Sequence, residues 1–402
     1  MIDKYLLFHC QELLQIHLGV CGSIAAYRAI DLVRAWKDVG LSVSVTLTPA
    51  ACNFLNPLAF SSVGADPVYT TMFDDIRHPY SHLEPGKTAQ AFIIAPASAS
   101  TISRLAYGQA DELLACQALA FSGQPIIAPA MNPNMWNHPS TQQNIKILQD
   151  RGCIVIEPEQ GRVACGDEGQ GRLADLRDIY LIGLKSITPQ DFAGLRILIT
   201  LGPTREPWDG LRFWSNPATG IMGASIAVAA WMRGAEVHAV CGPGSPWLPL
   251  GIHRYSVTTA LQMFEVAESI WPTSDIGIFV AAVADFSPEK GPEGKFKKDE
   301  AGDGFTLRFI RNTDILQKLS NNKARNQKVV GFALESEGLE QAVQNKLYVK
   351  KADMIVGNYI KDSVASLSGS VFILDRNGHE ARWEAMTKTD IAWRILSWIK
   401  SL

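Results

Sequence analysis

The chain reads as α/β: two doubly wound domains built on mainly parallel sheets. Three observations lead there. The same strand–turn–helix–strand opening begins near residue 16 and again near residue 195. A length of 402 residues is enough for two separate cores. The strand segments are short, continuous apolar runs, the pattern of strands covered on both faces by crossover helices.

Taken in order, residues 16–20 form a strand, Cys21-Gly22-Ser23 a turn, and the following helix carries Ile30, Val33, Trp36 and Val39 on one face before ending at Gly40. Strands follow at 43–47, 91–95, 125–130 and 153–156, with helices near 99–107, 110–121 and 139–150. The second opening has a strand at 195–200, a long Gly/Pro loop, a helix ending at Arg233-Gly234 and a strand at 236–240. Residues 276–282, 329–334 and 354–357 continue the parallel pattern, and 371–375 and 381–384 flank Arg376-Asn377-Gly378, a hairpin turn. A last helix places Ile391, Ile395, Trp398, Ile399 and Leu402 on one side. The short polar stretch Ile187-Thr188-Pro189-Gln190-Asp191 divides the chain into domains 1–188 and 189–402.

Charged residues make up 19% and hydrophobic ones 47%, the balance of a globular enzyme rather than a disordered chain. A net charge of −3 gives no basic surface for nucleic acid or for an anionic membrane. No apolar run approaches the ~20 residues of a membrane span, and the first ten residues lack the core and cleavage site of a signal peptide. The seven cysteines (10, 21, 52, 116, 153, 165 and 241) are scattered without CxxC pairs, and the eight histidines show no metal-ligand spacing. The expectation is a reduced, cytoplasmic protein without a disulfide or zinc framework.

Chemistry concentrates at the ends of strands, where ligands bind open α/β sheets. After the strand at 125–130 comes Met131-Asn132-Pro133-Asn134-Met135-Trp136. Asn132 can donate to a carboxylate, and Met131, Met135 and Trp136 can cover a planar ring; the plainer reading of the run is a buried turn. Gly22-Ser23-Ile24 opens a helix, where N–H groups and the dipole favour a phosphate. Thr48 and the pair Ser98 and Ser100 follow two further strands, so three hydroxyl-bearing turns along one edge suit a mononucleotide.

These segments, G-S-I-A-A-Y at 22–27, S-H-L-E at 81–84, A-P-A-S-A-S-T at 95–101, P-A-M-N-P-N-M-W at 129–136 and G-x-x-A-C-G-D-x-G-x-G-R at 161–172, together resemble the homo-oligomeric FMN-containing cysteine decarboxylases. Within that family they are most similar to the phosphopantothenoylcysteine decarboxylases. The resemblance spans residues 15–180 and implies a flavodoxin-like fold binding FMN through Gly22, Ser23, Ile24, Thr48, Ser98, Ser100 and Met131. A cysteine-derived carboxylate has no electron sink, so the family first oxidises the substrate CH2–SH to a thioaldehyde, which can accept the electrons left by CO2. His82 is implied as the acid/base near the thiol, Asn132 as the holder of the carboxylate, and Cys165 as the proton donor to the enethiolate. Residues 161–172 are rich enough in glycine to move as a lid. Leu83 follows His82 where relatives carry a β-branched residue.

In the second half, glycines and hydroxyls at Gly202-Pro203-Thr204 and at 215–223 suggest a phosphate cradle. Asp285 ends a strand, and Lys295, Lys297 and Lys298 follow; a lysine run is more often a solvated face, but after a strand-end carboxylate it suits a triphosphate and its metal. G-P-T-R-E-P, S-N-P-A-T-G-I-M-G, A-A-V-A-D-F, K-F-K-K, N-T-D-I-L, G-F-A-L-E and K-L-Y-V-K occur in the order found in bacterial CTP-using phosphopantothenate–cysteine ligases, so residues 190–402 resemble that family and add a Rossmann-like ligase domain. The resemblance implies CTP contacts at Phe279, Val280, Ala281, Asp285, Lys295, Thr313, Asp314, Ile315, Leu316, Phe332, Lys346 and Lys350. Lys295 and Asn216 are implied to act in catalysis, and Mg2+ is implied with CTP, Asp285 being its candidate ligand. Lys346 and Lys350 lie four apart on a helix and can face one phosphate chain. Ile221 stands where relatives carry lysine, and Thr313 where proline is usual.

The two halves together resemble the bifunctional family of coenzyme A biosynthesis. The implied small-molecule substrates are 4'-phosphopantothenate, cysteine and CTP, and the implied assembly is a homo-oligomer, a dodecamer of trimeric and dimeric contacts. Two rivals are a decarboxylase of peptidyl cysteine, which leaves the second half without a role, and a non-catalytic flavoprotein subunit, which has no need of His82, Asn132 and Cys165 together. A nicotinamide oxidoreductase is disfavoured, because neither glycine turn fits the dinucleotide fingerprint.

Overall fold

The computed structural model describes residues 2–10, 12–73, 79–289, 291, 294–297, 304–363 and 366–402, with the side chains of 362 and 363 excepted. Lys298 of the lysine run lies outside the described residues. The chain divides into two compact units, Leu7–Thr188 and Pro189–Leu402, the latter including the 3-10 turn Lys4–Leu6.

In the first unit β1 (Gln15–Val20), β2 (Ser42–Leu47), β3 (Val68–Tyr69), β4 (Ala91–Ala97), β5 (Ile126–Pro129) and β6 (Ile154–Val155) pair in parallel in the order β3-β2-β1-β4-β5-β6. Alternate β4 residues serve two layers. Phe92 and Ile94 join the cluster of Ile102, Leu114, Ile127, Trp136, Ile145 and Leu148. Ile93 lies on the other side with Trp36, where Gly183 of the helix Leu176–Ile187 leaves room for both. Each such fully buried aliphatic side chain contributes about 2 kcal/mol. Beyond β6 runs a hairpin of β7 (Glu159–Arg162) and β8 (Glu168–Arg172), which apolar periodicity does not announce because its strands are polar and glycine-rich.

In the second unit β9 (Arg196–Leu201) leads through a short hairpin, β10 (Arg205–Pro207) and β11 (Phe213–Ser215), to the helix Ile221–Met232. There follow β12 (Glu236–Cys241), β13 (His253–Ser256), β14 (Ile276–Phe279), the hairpin pair β15 (Phe286–Pro288) and β16 (Phe309–Arg311), then β17 (Lys328–Glu335), β18 (Met354–Tyr359), β19 (Ser368–Asp375) and β20 (Glu380–Thr387). The main sheet runs β13-β12-β9-β14-β17-β18-β19-β20, its last two strands antiparallel. Residues 223–232 of the helix Ile221–Met232 are all buried, so it reads as apolar all round and shows no stripe. Tyr5 ties the chain start to this unit: its carbonyl accepts from Ser225 Oγ at 3.3 Å and its hydroxyl donates to the Trp247 carbonyl at 2.9 Å.

The strand expected at 276–282 ends at Phe279. Its continuation keeps single bonds, Val280 N–H to Thr200 O at 3.1 Å and Ala282 N–H to Gly202 O at 3.0 Å, as it bends over the sheet edge.

Candidate active sites

In the first sheet β1 and β4 are neighbours from which the chain winds in opposite directions, and the crevice at such a switch point is where ligands bind. Ser23, Thr48 and Ser98 follow β1, β2 and β4, and each hydroxyl caps the helix it opens, accepting from Ala25, Ala51 and Thr101 N–H respectively. Three capped N-termini therefore point free N–H groups and positive dipole ends at one edge, a setting for a phosphate. Gly22 lets the turn approach the Thr48 turn: a Cβ there would stand 2.5 Å from Ala50 Cβ. Ile24 is 60% exposed beside this edge, while Met131 packs at the margin of the core. Ser100 instead receives the Arg104 guanidinium at 2.5 Å.

His82 is placed by a buried polar chain. Gln15 Nε2 donates to Ser44 Oγ, and Ser44 Oγ meets His17 Nδ1 at 2.8 Å. His17 Nε2 meets Thr46 Oγ1 at 3.0 Å, Thr46 Oγ1 donates to Gln117 Oε1 at 2.6 Å, and Gln117 Nε2 donates to the Ser81 carbonyl at 2.7 Å. Because Thr46 gives its single proton to Gln117, His17 Nε2 must be the donor to Thr46, which leaves Nδ1 as acceptor from Ser44. Burial drives the His17 pKa down to about 3, against the raising effect of the Gln117 contact, so the ring is neutral. Ser81 also donates to the Met72 carbonyl at 3.1 Å. Held one residue away, His82 has an Nδ1 shut off from solvent with no hydrogen-bond partner among the described residues, as expected of a ring whose partner is a ligand.

Asn132 and Cys165 are brought together. Asn132 Oδ1 caps the turn Pro133–Trp136, and its Nδ2 donates to Cys165 Sγ at 3.3 Å and to Asp167 Oδ2 at 2.5 Å. Cys165 Sγ also donates to Asp167 Oδ2 at 3.4 Å. The β7–β8 hairpin reaches Asn132 because Gly171 has no side chain: a Cβ there would collide with the Met131 carbonyl, while the Met131 N–H bonds the Gly171 carbonyl at 3.0 Å. Trp136, expected to cover a ring, is instead 4% exposed and part of the core cluster, since the helical turn aims it inward; Met135 is exposed. Among the described residues no hydrogen bond links His82 to the Asn132–Cys165 pair.

In the second unit the switch point lies between β9 and β14. A cavity of about 820 Å³ opens there, lined by Thr200, the segment Asn216–Gly223, Phe279–Asp285, Asn312–Leu316, Phe332, Lys346 and Lys350. Every expected nucleotide contact except Lys295 is among these residues. Lys295 is exposed on a loop whose next residue, Phe296, packs tilted against Trp208 with ring centroids 5.1 Å apart and donates its N–H to Asp209 at 3.0 Å. That anchoring, which the lysine-run pattern could not show, keeps Lys295 off the cavity wall.

Asn216 Nδ2 donates to the Ala282 and Val283 carbonyls at 3.3 and 3.1 Å, fixing the bend over the edge. Asn312 Nδ2 likewise holds the Ala284 carbonyl at 2.8 Å, and Thr204 Oγ1 accepts from the Ala284 N–H. Asp314 caps the helix Ile315–Asn321 and pairs with Lys350 at 2.6 Å. Burial raises its carboxyl pKa, but the Lys350 and Gln317 hydrogen bonds and the two lysine charges outweigh this and hold it below the usual value. Lys346 donates to the Phe332 carbonyl at 2.6 Å, and burial, more than the adjoining Lys350 charge, lowers its pKa despite Asp314. Ile221 starts the helix after Gly220, so this helix start offers backbone N–H groups and no side-chain cation at that position. Asp285 is an exposed carboxylate on the same wall, the chemistry a magnesium–phosphate complex requires. Lys388, buried on the cavity wall at the start of the last helix, carried no motif and so escaped sequence reasoning.

Glu236, His238 and His253 gather at the opposite end of the sheet, but Arg196 binds both Glu236 oxygens and Tyr255 meets His238 Nδ1, so two of the three are already engaged by protein partners. Among the described residues no helix is long and apolar enough to cross a membrane.

Residues 8–186 match the Flavoprotein family model, and residues 192–402 match that of the DNA/pantothenate metabolism flavoprotein C-terminal domain. The coenzyme A biosynthesis bifunctional protein CoaBC of Bacillus subtilis is 38% identical over 394 residues, 96% of each chain. That of Escherichia coli K12 is 36% identical over 373 residues, 92% of this chain and 91% of its own. Among solved structures, the C-terminal domain of a CoaBC protein is 33% identical, covering 53% of this chain and 97% of its own with a TM-score of 0.45. A PPC decarboxylase mutant complexed with pantothenoylaminoethenethiol is 30% identical over 42% of this chain and 95% of its own, with a TM-score of 0.38.

Proposed function

The chain belongs to the bifunctional CoaBC family of coenzyme A biosynthesis, whose members are both decarboxylase and cysteine ligase, and from that premise we propose how its residues divide the two reactions. The second unit joins the carboxylate of 4'-phosphopantothenate to the α-phosphorus of CTP, releasing pyrophosphate. The amine of cysteine then attacks the acyl-cytidylate, forming the amide and releasing CMP. Lys346 and Lys350 neutralise the triphosphate, the N-terminus of the helix Ile221–Met232 receives a phosphate, and Phe279–Ala281 with Thr313–Leu316 and Phe332 surround the base. Asp285 would hold Mg2+, which would offset the negative charge of the phosphates. Asn216 keeps the Ala282–Val283 bend in place and acts on the acyl-cytidylate step. The observation that carries this reading is the convergence of Asn216, Asp285, Asp314, Lys346 and Lys350 on one cavity at the switch point.

The first unit decarboxylates the resulting 4'-phosphopantothenoylcysteine to 4'-phosphopantetheine. Ser23, Thr48, Ser98 and Met131 would hold FMN, which when bound supplies the two-electron oxidation at the CH2–SH carbon and returns the hydride after CO2 loss. His82 takes the thiol proton, Asn132 donates to the carboxylate until CO2 departs, and Cys165 gives its proton to the enethiolate carbon.

The test is incubation with 4'-phosphopantothenate, cysteine and each nucleoside triphosphate, products being read by mass. CTP should give phosphopantetheine, CMP and pyrophosphate, and His82→Asn should stop at phosphopantothenoylcysteine with flavin still bound. Equal turnover with every triphosphate, or release of a nucleoside diphosphate, would overturn the ligase half. Full phosphopantetheine yield from His82→Asn would overturn the decarboxylase half.

A further inference from the structure

Asp167 lies in the glycine-rich run at 161–172 and has no role in the proposed mechanism, yet it makes close contact with both Asn132 and Cys165. Its Oδ2 accepts from Asn132 Nδ2 at 2.5 Å and from Cys165 Sγ at 3.4 Å. One carboxylate oxygen thus occupies both donors that the reaction is to turn on its substrate: the amide that holds the substrate carboxylate and the thiol that protonates the carbon. The contact is built in by the hairpin. Val163 and Asp167 close its apex through Val163 N–H to Asp167 O at 2.9 Å, and Gly166 N–H to Val163 O at 2.9 Å tightens the turn. Gly171, pressed against Met131, fixes the other end. Cys165 and Asp167 are exposed, so water competes for the same donors and the contact is one that a ligand can displace.

We infer that Asp167 is a specificity-determining residue that acts as an internal competitor: its carboxylate stands where the substrate's carboxylate binds, and substrate enters by exchanging one carboxylate for the other. The inference rests on the reading of Asn132 as the substrate-carboxylate holder. Both Asn132 amide protons are already committed, one to Cys165 Sγ and one to Asp167 Oδ2, and a second carboxylate seated beside Asp167 is repelled by it, so a ligand with a carboxylate expels Asp167, whereas a ligand without one leaves it in place. Expulsion also takes from Cys165 its only described acceptor, so the thiol proton is freed for the carbon when a carboxylate substrate is seated. Ligands that reach the site without a carboxylate, the product among them, meet a clamp still closed on itself, which favours product release.

A population held in the self-bound state raises the apparent dissociation constant by the inverse of the competent fraction. For one charge-assisted hydrogen bond at an exposed site, that is about fivefold.

The experiment titrates the flavin-loaded full chain with two probes, following the flavin absorption spectrum. 4'-Phosphopantothenoylserine keeps the carboxylate but has no thiol to oxidise; its counterpart ending in ethanolamine lacks the carboxylate. Asp167→Ala should bind the serine probe about fivefold more tightly, and Asp167→Asn, a neutral acceptor of the same shape, should fall between it and the parent. The ethanolamine probe should bind all three alike, and KM for the true substrate should fall with the serine constant. Unchanged or weaker binding of the serine probe by both variants overturns the inference, as does equal tightening of both probes. If Asp167→Ala loses both probes through a damaged hairpin, Asp167→Asn decides by the same criterion. Asn132→Ala separates the two levels: if it leaves serine-probe binding intact, the assignment of Asn132 falls. If it weakens that probe while the Asp167 variants do not tighten it, only the competition falls.

Discussion

Cys165 rests its chemistry on one transferable proton, and the two steps before it need none from this residue. Cys165→Ser should therefore still oxidise and decarboxylate, but release an aminoenethiol two mass units below phosphopantetheine; mass analysis of the product checks this. His17 makes the second prediction at this scale. Its pKa falls from 6.5 in the unfolded chain to about 3 in the fold, so below pH 6.5 the unfolded state takes a proton that the folded state refuses. The first unit should lose about 1.4 kcal/mol of stability per pH unit as the pH falls from 6.5 toward 3. Urea unfolding of the parent and of His17→Gln at several acidic pH values should show the shallower slope in the variant. Asn132 and Cys165 were legible in sequence because their side chains are ill suited to a strand end or an apolar core. Gln117 and Asp167 were not, since a helical glutamine and a loop aspartate read as solvated until the fold turns Gln117 inward, with 0% exposure, and closes Asp167 on Asn132.

Among elements, the parallel strands could be read because both faces are buried and the apolar run is unbroken. β7 and β8 could not, because their pairing depends on backbone closeness and not on side chains. Gly171 shows the cause, and a substitution there tests it. Gly171→Ala would drive a Cβ into the Met131 carbonyl and push the hairpin off the Asn132 segment. A 1 Å misplacement of reacting groups costs on the order of 10²-fold. Decarboxylation should fall by about that factor while ligation, measured as pyrophosphate release, stays at the parent rate. Loss of both activities together would mean that the substitution unfolds the chain. The strand end at Phe279 was misplaced by sequence for a related reason: Val280–Ala282 are as apolar as a strand, but each is held singly over the cavity by Thr200 and Gly202. Trp136 was misread because motif position says nothing of which way a four-residue helical turn points.

At the scale of the whole molecule, the second unit is not continuous in sequence. Leu6, fully buried, belongs to it across the length of the first unit, and a segment of three residues is too short for any periodicity to reveal. Leu6→Ala should destabilise the second unit by about 2–5 kcal/mol and leave the first unit's unfolding unchanged. Calorimetry that resolves two transitions, with only the one assigned to Pro189–Leu402 shifted, would bear this out; a shift in the other would place Leu6 wrongly. The arrangement also sets a delay during synthesis. Tyr5 is synthesised ahead of its partner Ser225, which lies 220 residues further on. At roughly 5–20 residues per second, that separation corresponds to about 10–45 s of translation. Over that interval the first unit can fold while Tyr5 and Leu6 stay exposed, an apolar handle waiting ahead of it in the chain. Their burial marks the moment at which the second core closes.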